Sequence, residues 1–306
     1  MNCVGVDIGG TNIKIGLVDD EGKIVQKESY KFDIEKGIDG IIEDIKDFVG
    51  IGQVDALGLA IPGSISADGR KVIHAYNLNF HDLNVVDKME ETFPKAKVKM
   101  ANDADIAAYS ELFGGIFEGK KSGVLLTLGT GLGGGVILDG KIFTGGNGHG
   151  TEIGHANLRY GGEQCTCGNK GCNEAYCAAT WFAKAGKKVF DDNKASLIYV
   201  KADGDRDKVD AKLVIDCAKE NDPDALRLFN EYVDNLSSAI ASVTVMFDPE
   251  VIGVGGGVCA AGDFLMEPLR KQVNEKVFFD YEYPVLVAKN GNDAGVIGAA
   301  MLAKNG

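Results

Sequence analysis

The sequence has no run of basic residues longer than a pair such as Lys120-Lys121 or Lys187-Lys188. With 45 acidic against 32 basic side chains and a formal net charge of -13, it lacks the positive stripe that a nucleic-acid surface needs. No apolar stretch reaches the ~18 residues of a membrane span. The Met1 end carries no charged-then-apolar leader, because Asp7 interrupts the first apolar run. These absences argue against nucleic acid and membrane as partners and make a cytoplasmic location the expectation. Low-complexity segments are missing too.

Disulfides are also not expected. Seven cysteines without a leader suit a reducing compartment. Four of the seven crowd into residues 165–177.

Glycine is abundant: 42 in 306 residues is roughly twice the ~7% average. The glycines are clustered rather than periodic, which excludes collagen and predicts tight backbone turns. A hydrophobic fraction of 45% supports a well-buried core, and the length suits two domains.

The clusters repeat. Residues 4–11 read V-G-V-D-I-G-G-T, and residues 124–131 read V-L-L-T-L-G-T-G. After each turn the chain is apolar again, through Ile13, Ile15, Leu17 and Val18 or through Val136, Ile137 and Leu138. A second turn follows, at 19–22 or 139–140, and then Lys23-Ile24 or Lys141-Ile142. Strand, Gly hairpin, strand, Asp/Gly hairpin, strand is therefore written twice, and a duplicated α/β domain is expected. Helical spacing follows at Ile38, Ile41, Ile42, Ile45, Phe48 and Val49, and helices are predicted over 103–113, 174–190 and from Asp222-Pro223 onward. Strands are predicted at 56–61, 98–101, 251–254 and 285–288. The predicted domains are 1–118 and 119–290, with a final helix within 291–306 packing back on the first.

An acidic protein holds a polyanion best with backbone N–H groups, which glycine brings close to phosphate. The candidates are Asp7, Gly9, Gly10, Thr11, Asn12 and Lys14 in the first turn, and Thr130, Gly131 and Gly133 in the second. Gly255, Gly256 and Gly257 form a third loop ahead of a candidate helix. Gly129-x-Gly131-x-x-Gly134 fits the dinucleotide fingerprint, but a strand rather than a helix follows it. Residues 114–120 resemble a P-loop, yet Lys121 holds the Ser/Thr position and a strand comes next. Asp7 has two readings, a capped turn or an acid that orients hydrated Mg²⁺. Asp103 likewise is either a helix N-cap or a general base, and residue physics alone favours the cap.

His155 precedes Cys165-Thr-Cys167-Gly-Asn-Lys-Gly-Cys172-Asn-Glu174. Three thiolates and an imidazole suit a tetrahedral ion, zinc above others. Free buried thiols, or an iron–sulfur site using Cys177, are the alternatives.

D-I-G-G-T-N-I-K, the pair Asn102-Asp103, G-T-G-L-G-G-G and the His/Cys segment together resemble the ROK family of sugar kinases, from about residue 4 to 302. The resemblance implies duplicated actin-like ATPase (ribonuclease H-like) domains with a cleft between them. It implies ATP with Mg²⁺ as donor, a hexose 6-hydroxyl as acceptor, glucose first among the hexoses, and a homo-oligomer, dimer or tetramer. N-acetylglucosamine, N-acetylmannosamine, mannose and fructose are alternative acceptors. A non-catalytic sugar sensor is the alternative activity. The family's repressors carry a preceding DNA-binding segment, which is not expected here because Met1 leads into the first strand. Residue by residue, the resemblance makes Asp103 the base and Gly63, Asn77, Asn102, Asp103, Glu152, His155 and Glu174 the sugar set. It also implies a structural zinc on His155, Cys165, Cys167 and Cys172, with Mg²⁺ near Asp7.

Overall fold

The computed structural model describes residues 2–50 and 54–306. In chain order the first elements are β1 (Cys3–Ile8), β2 (Asn12–Val18), β3 (Ile24–Lys31), α1 (Gly37–Val49), β4 (Ala56–Ile61), β5 (Ser64–Ile65), β6 (Val72–Ala75), β7 (Phe80–Leu83), α2 (Val85–Thr92), β8 (Lys97–Asn102) and α3 (Asp103–Ser110). Next come β9 (Gly123–Leu128), β10 (Leu132–Leu138), β11 (Lys141–Ile142), α4 (Glu174–Cys177), α5 (Ala179–Asp192), α6 (Leu197–Lys201), α7 (Ala211–Lys219) and α8 (Pro223–Phe247). The chain closes with β12 (Val251–Gly255), α9 (Asp263–Lys276), β13 (Val285–Val287) and α10 (Ala294–Asn305).

The described residues fall into two compact units. Unit 1 comprises the segments up to Leu125, Gly135–Thr151 and Ala288–Gly306, and unit 2 comprises Leu126–Gly134 and Glu152–Val287. The dividing line passes through β9 and β10. The two large sheets have one topology: β3-β2-β1-β4-β8 in the first and β11-β10-β9-β12-β13 in the second. β5, β6 and β7 form a small antiparallel sheet of their own.

The first sheet shows how the sequence pattern positions the site. Val4, Val6 and Ile8 of β1 share a buried core with Leu57, Leu59 and Ile61 of β4 and with α1 and α2 side chains such as Ile41, Ile45, Val86 and Met89. Alternation sends Gly5 and Asp7 to the opposite face, and there α10 lies. Gly16, Gly5 and Gly58 form a row across β2, β1 and β4. A Cβ on Gly5 would sit 1.9 Å from the Val296 carbonyl oxygen, and one on Gly58 would sit 1.8 Å from that of Ala299. These strand glycines depart from the turn role that the composition suggests. They let an almost wholly apolar helix rest directly on the strand backbones.

Two predicted helices are shorter or broken. The helix from Asp103 stops at Ser110, and buried Glu111 follows. Its Oε2 accepts the N–H groups of Ile116 at 2.8 Å and Lys289 at 3.2 Å, and its Oε1 accepts that of Asn290 at 2.9 Å. The segment predicted as one helix over 174–190 is interrupted at Ala178, whose backbone is extended at φ -78° and ψ 158°. The interruption frees the N–H of Ala179 for a carbonyl outside the helix. The long helix begins as predicted, with Asp222 as N-cap and Pro223 in the first turn.

Candidate functional site

In unit 1 the site grows from three parallel strands that end together. Asp7, Ala60 and Ala101 stand in register across β1, β4 and β8. Asp7, the Ile61–Gly63 segment and the Asn102-Asp103 pair therefore come to one edge of the sheet, beyond the carboxyl ends of its strands. That edge is where open α/β sheets bind ligands.

Each residue there has a local reason for its place. Gly63 has φ +113°, and a Cβ would come 2.3 Å from the His74 carbonyl oxygen, so only glycine fits. Its own carbonyl accepts the Asn102 side-chain amide at 3.1 Å. The N-cap of α3 is Asn102, whose Oδ1 accepts the Ala104 N–H at 2.9 Å. Asp103 is thus the first residue inside the helix and not its cap, with Oδ1 also 2.9 Å from that N–H. The helix N-terminus favours its negative charge.

The β1–β2 turn is closed by the Gly9 N–H on the Asn12 carbonyl at 2.9 Å, and Thr11 and Asn12 lead into β2. Asn77 packs over Gly10, where a Cβ would be 3.2 Å from its own Cβ. Lys14 donates to Asp7 Oδ2 at 3.2 Å and to the Asn292 carbonyl at 3.0 Å. Gly295 of α10 lies so close that its Cβ would come 2.4 Å from Asp7 Cγ. Gly295 carried no motif signal; glycine inside an apolar helix is the feature that could have marked it.

In unit 2 the second turn is shorter than its glycine run suggests. β10 begins at Leu132, so Gly133, Gly134 and Gly135 are strand residues. The turn itself is closed by the Gly129 N–H on the Gly131 carbonyl at 3.0 Å. The break before α5 serves this turn: the Ala179 N–H reaches the Gly129 carbonyl at 2.9 Å, and the Thr180 hydroxyl reaches that of Thr130 at 3.0 Å. Gly256, at φ +94°, sits where a Cβ would strike the Leu128 carbonyl at 2.4 Å, bringing the 255–257 loop against the end of β9. Both glycine segments line a cavity of about 510 Å³, walled by Ala179, Ala211, Ile215 and Val258 with Thr130 and Gly257 at its side. No motif marks this cavity, because its walls come from four separated segments.

Glu152 precedes a short 3₁₀ turn, Ile153–His155, and its carbonyl accepts the His155 N–H at 3.0 Å. His155, Cys165, Cys167 and Cys172 bring their ligand atoms within 4.8 Å of one another. The Cys167 and Cys172 sulfurs are 3.7 Å apart, and Cys165 Sγ is 3.8 Å from His155 Nδ1. A tetrahedron with metal–sulfur bonds of ~2.3 Å has edges of about 3.8 Å, so the donors match a four-coordinate ion in spacing as well as chemistry. Gly168 and Gly171, at φ +92° and +86°, make the sharp folds. Burial and the neighbouring thiols push the Cys172 thiol up to about 12, while the Asn169 backbone N–H draws Cys167 down. Cys177 is not in the cluster. It is buried at the end of α4, apart from the His155, Cys165, Cys167 and Cys172 group, so the four thiols of the iron–sulfur arrangement are not brought together. None of the seven cysteines is in a disulfide. Among the described residues no helix is long and apolar enough to cross a membrane.

Two sheets of one topology, each with a Gly/Thr turn between its first two antiparallel strands, define the duplicated actin-like ATPase fold. Within that class the ROK family matches residues 3–306, and the chain belongs to it. It is 34% identical to the glucokinase of Thermotoga maritima across 99% of this chain and 98% of that one. With the glucokinase of Halalkalibacterium halodurans it shares 36% identity over 98% and 94%. The crystal structure of a ROK family glucokinase from Streptomyces griseus in complex with glucose and AMPPNP matches over the full length of both chains, with a TM-score of 0.81 and 32% identity.

Proposed function

We propose that this protein is an ATP-dependent hexose kinase that phosphorylates glucose at its 6-hydroxyl. The observation that carries the reading is the register of Asp7, Ala60 and Ala101, which ends three parallel strands together and sets Asp103 just beyond them at a helix N-terminus. The glucokinases to which the chain is similar supply glucose and ATP as the first substrates to test.

In this reading Asp103 accepts the proton of the attacking hydroxyl as the phosphoryl group arrives. The sugar's hydrogen-bond partners are Gly63, Asn77, Asn102, Glu152, His155 and Glu174. Carboxylates accept hydroxyls, and amides both donate and accept. The glycine turns offer backbone N–H groups to the phosphates, at Gly9, Gly10, Thr11 and Asn12 and at Thr130, Gly131, Gly133 and Gly255–Gly257. The apolar cavity beside Thr130 and Gly257 has the room and the walls for the nucleoside. Mg²⁺, when bound with ATP, offsets phosphate charge. Asp7, held by Lys14, is the carboxylate that would hold the hydrated ion there.

The Cys/His loop is assigned a structural zinc. All four positions would be filled by protein, which leaves no open site for Lewis-acid chemistry. His155 turns Nδ1 toward Cys165, which leaves Nε2 for a hydroxyl. A homo-oligomer and a cytoplasmic location accompany this reading.

The test is a coupled assay of ADP formation across glucose, mannose, fructose, N-acetylglucosamine and N-acetylmannosamine, with polyphosphate tried in place of ATP. The highest kcat/KM is expected with glucose and ATP. No turnover on any hexose would overturn the kinase reading, and a strong preference for another sugar would overturn glucose.

A further inference from the structure

Glu174 joins two parts of unit 2 that the sequence presents as separate motifs. Its Oε2 accepts the Leu132 N–H at 3.1 Å, and a Cβ on Gly131 would come 2.4 Å from the same oxygen. Its Oε1 accepts the Thr166 hydroxyl at 2.9 Å and lies 3.6 Å from Cys165 Sγ. Thr166 stands between two of the clustered cysteines, so one carboxylate spans from the Cys/His loop to the Gly129–Leu132 turn.

We propose that Thr166 is a positioning residue that, through Glu174, couples the Cys/His loop to this turn, so that metal in the loop and phosphate on the turn stabilise each other. The coupling rests on the nucleotide reading given above. Thr166 is singled out over Cys165 for a chemical reason. A coordinating thiol is deprotonated and can no longer donate to a carboxylate, whereas the Thr166 hydroxyl still can. The turn needs such an anchor, because its glycines lose more freedom on ordering than any other residues. The anchor also restrains a negative charge. A carboxylate released at Oε1 would compete with phosphate for the N–H groups of the turn. With Oε1 on Thr166 and Oε2 on Leu132, Glu174 shapes the turn while leaving its remaining donors to the ligand.

Thermodynamic linkage makes the coupling measurable from either end. The experiment follows transfer of zinc from the loaded protein to a chromogenic chelator, with and without saturating Mg·AMPPNP, and checks nucleotide binding in parallel by calorimetry. Native protein and Thr166→Ser are expected to hold zinc about 5-fold more tightly against the chelator at equilibrium when nucleotide is bound, the lower end of typical allosteric coupling. Thr166→Val is expected to take up one zinc per chain and to lose that protection. Equal protection in native protein and Thr166→Val overturns the coupling, as does absence of protection in native protein that binds nucleotide. Failure of native protein to bind nucleotide overturns the underlying reading instead. Should Thr166→Val not fold, Thr166→Ala removes the same hydroxyl with all four metal ligands intact, and the same loss of protection is expected.

Discussion

Asp7 and Gly295 occupy neighbouring space to the exclusion of even one methyl group: a Cβ on Gly295 would lie 2.4 Å from Asp7 Cγ and 2.7 Å from its Oδ1. In a helix, Gly→Ala ordinarily gains about 1 kcal/mol. Here Gly295→Ala should instead displace the Asp7 carboxylate. kcat/KM for ATP should fall about 10- to 100-fold, the scale of a misplaced site group, and half-maximal activity should need more Mg²⁺. A thermal-shift cycle with Asp7→Ala checks the cause. In that background Gly295→Ala should destabilise less, because only the contact with the remaining Cβ, at 2.8 Å, is left of the clash.

Asp103→Asn should lower kcat by ~10²–10⁴, the usual scale for a general base. The thermal midpoint should hardly move, because the N-cap of α3 is Asn102. Near-normal turnover in a correctly folded variant would remove Asp103 from the role of base.

Gly58→Ala should destabilise the protein by about 3 kcal/mol or more, at the upper end of overpacking costs, because the new methyl meets a backbone carbonyl and not a yielding side chain. Gly129→Ala is the control: a Cβ there meets nothing within 4 Å. Denaturant unfolding of the two variants, read against native protein, gives the comparison.

Glu111→Ala would leave three partly buried N–H groups without their acceptor and should cost about 3 kcal/mol. Glu111→Gln keeps the shape and one acceptor oxygen and should cost less. The order native, Gln, Ala in thermal midpoint is the expected result.

Metal uptake by the Cys/His loop should release about three protons, one per thiol, measurable in weak buffer at pH 7.5. The sign of the pH dependence follows. Bound metal holds the sulfurs as thiolates, below their unfolded thiol range, so its stabilisation is present at neutral pH and lost as pH falls. Cys172→Ser should abolish stoichiometric metal binding and raise KM for the sugar. Unchanged sugar affinity in a metal-free protein would detach the loop from the acceptor side.

Local chemistry explains what the sequence made legible. The two Gly/Thr turns, the Asn102-Asp103 pair and the Cys-x-Cys spacing are each written within ten residues, and each lies in the element its pattern requires. Residues whose roles depend on distant partners were silent. Gly5 and Gly58 look like weak strand residues until α10 lies on them. Ala179, Ile215 and Val258 look like ordinary core until they wall one cavity. The break at Ala178 could not be read because its cause, the Gly129 carbonyl, lies nearly fifty residues earlier.

The glycine row under α10 also bears on synthesis. The bare face of the first sheet waits for a helix that the ribosome makes only after all of unit 2. During translation that face offers exposed strand backbone to any apolar helix nearby. A nascent unit 1 is therefore a natural client for chaperones, and its final closure comes after unit 2 has had time to fold.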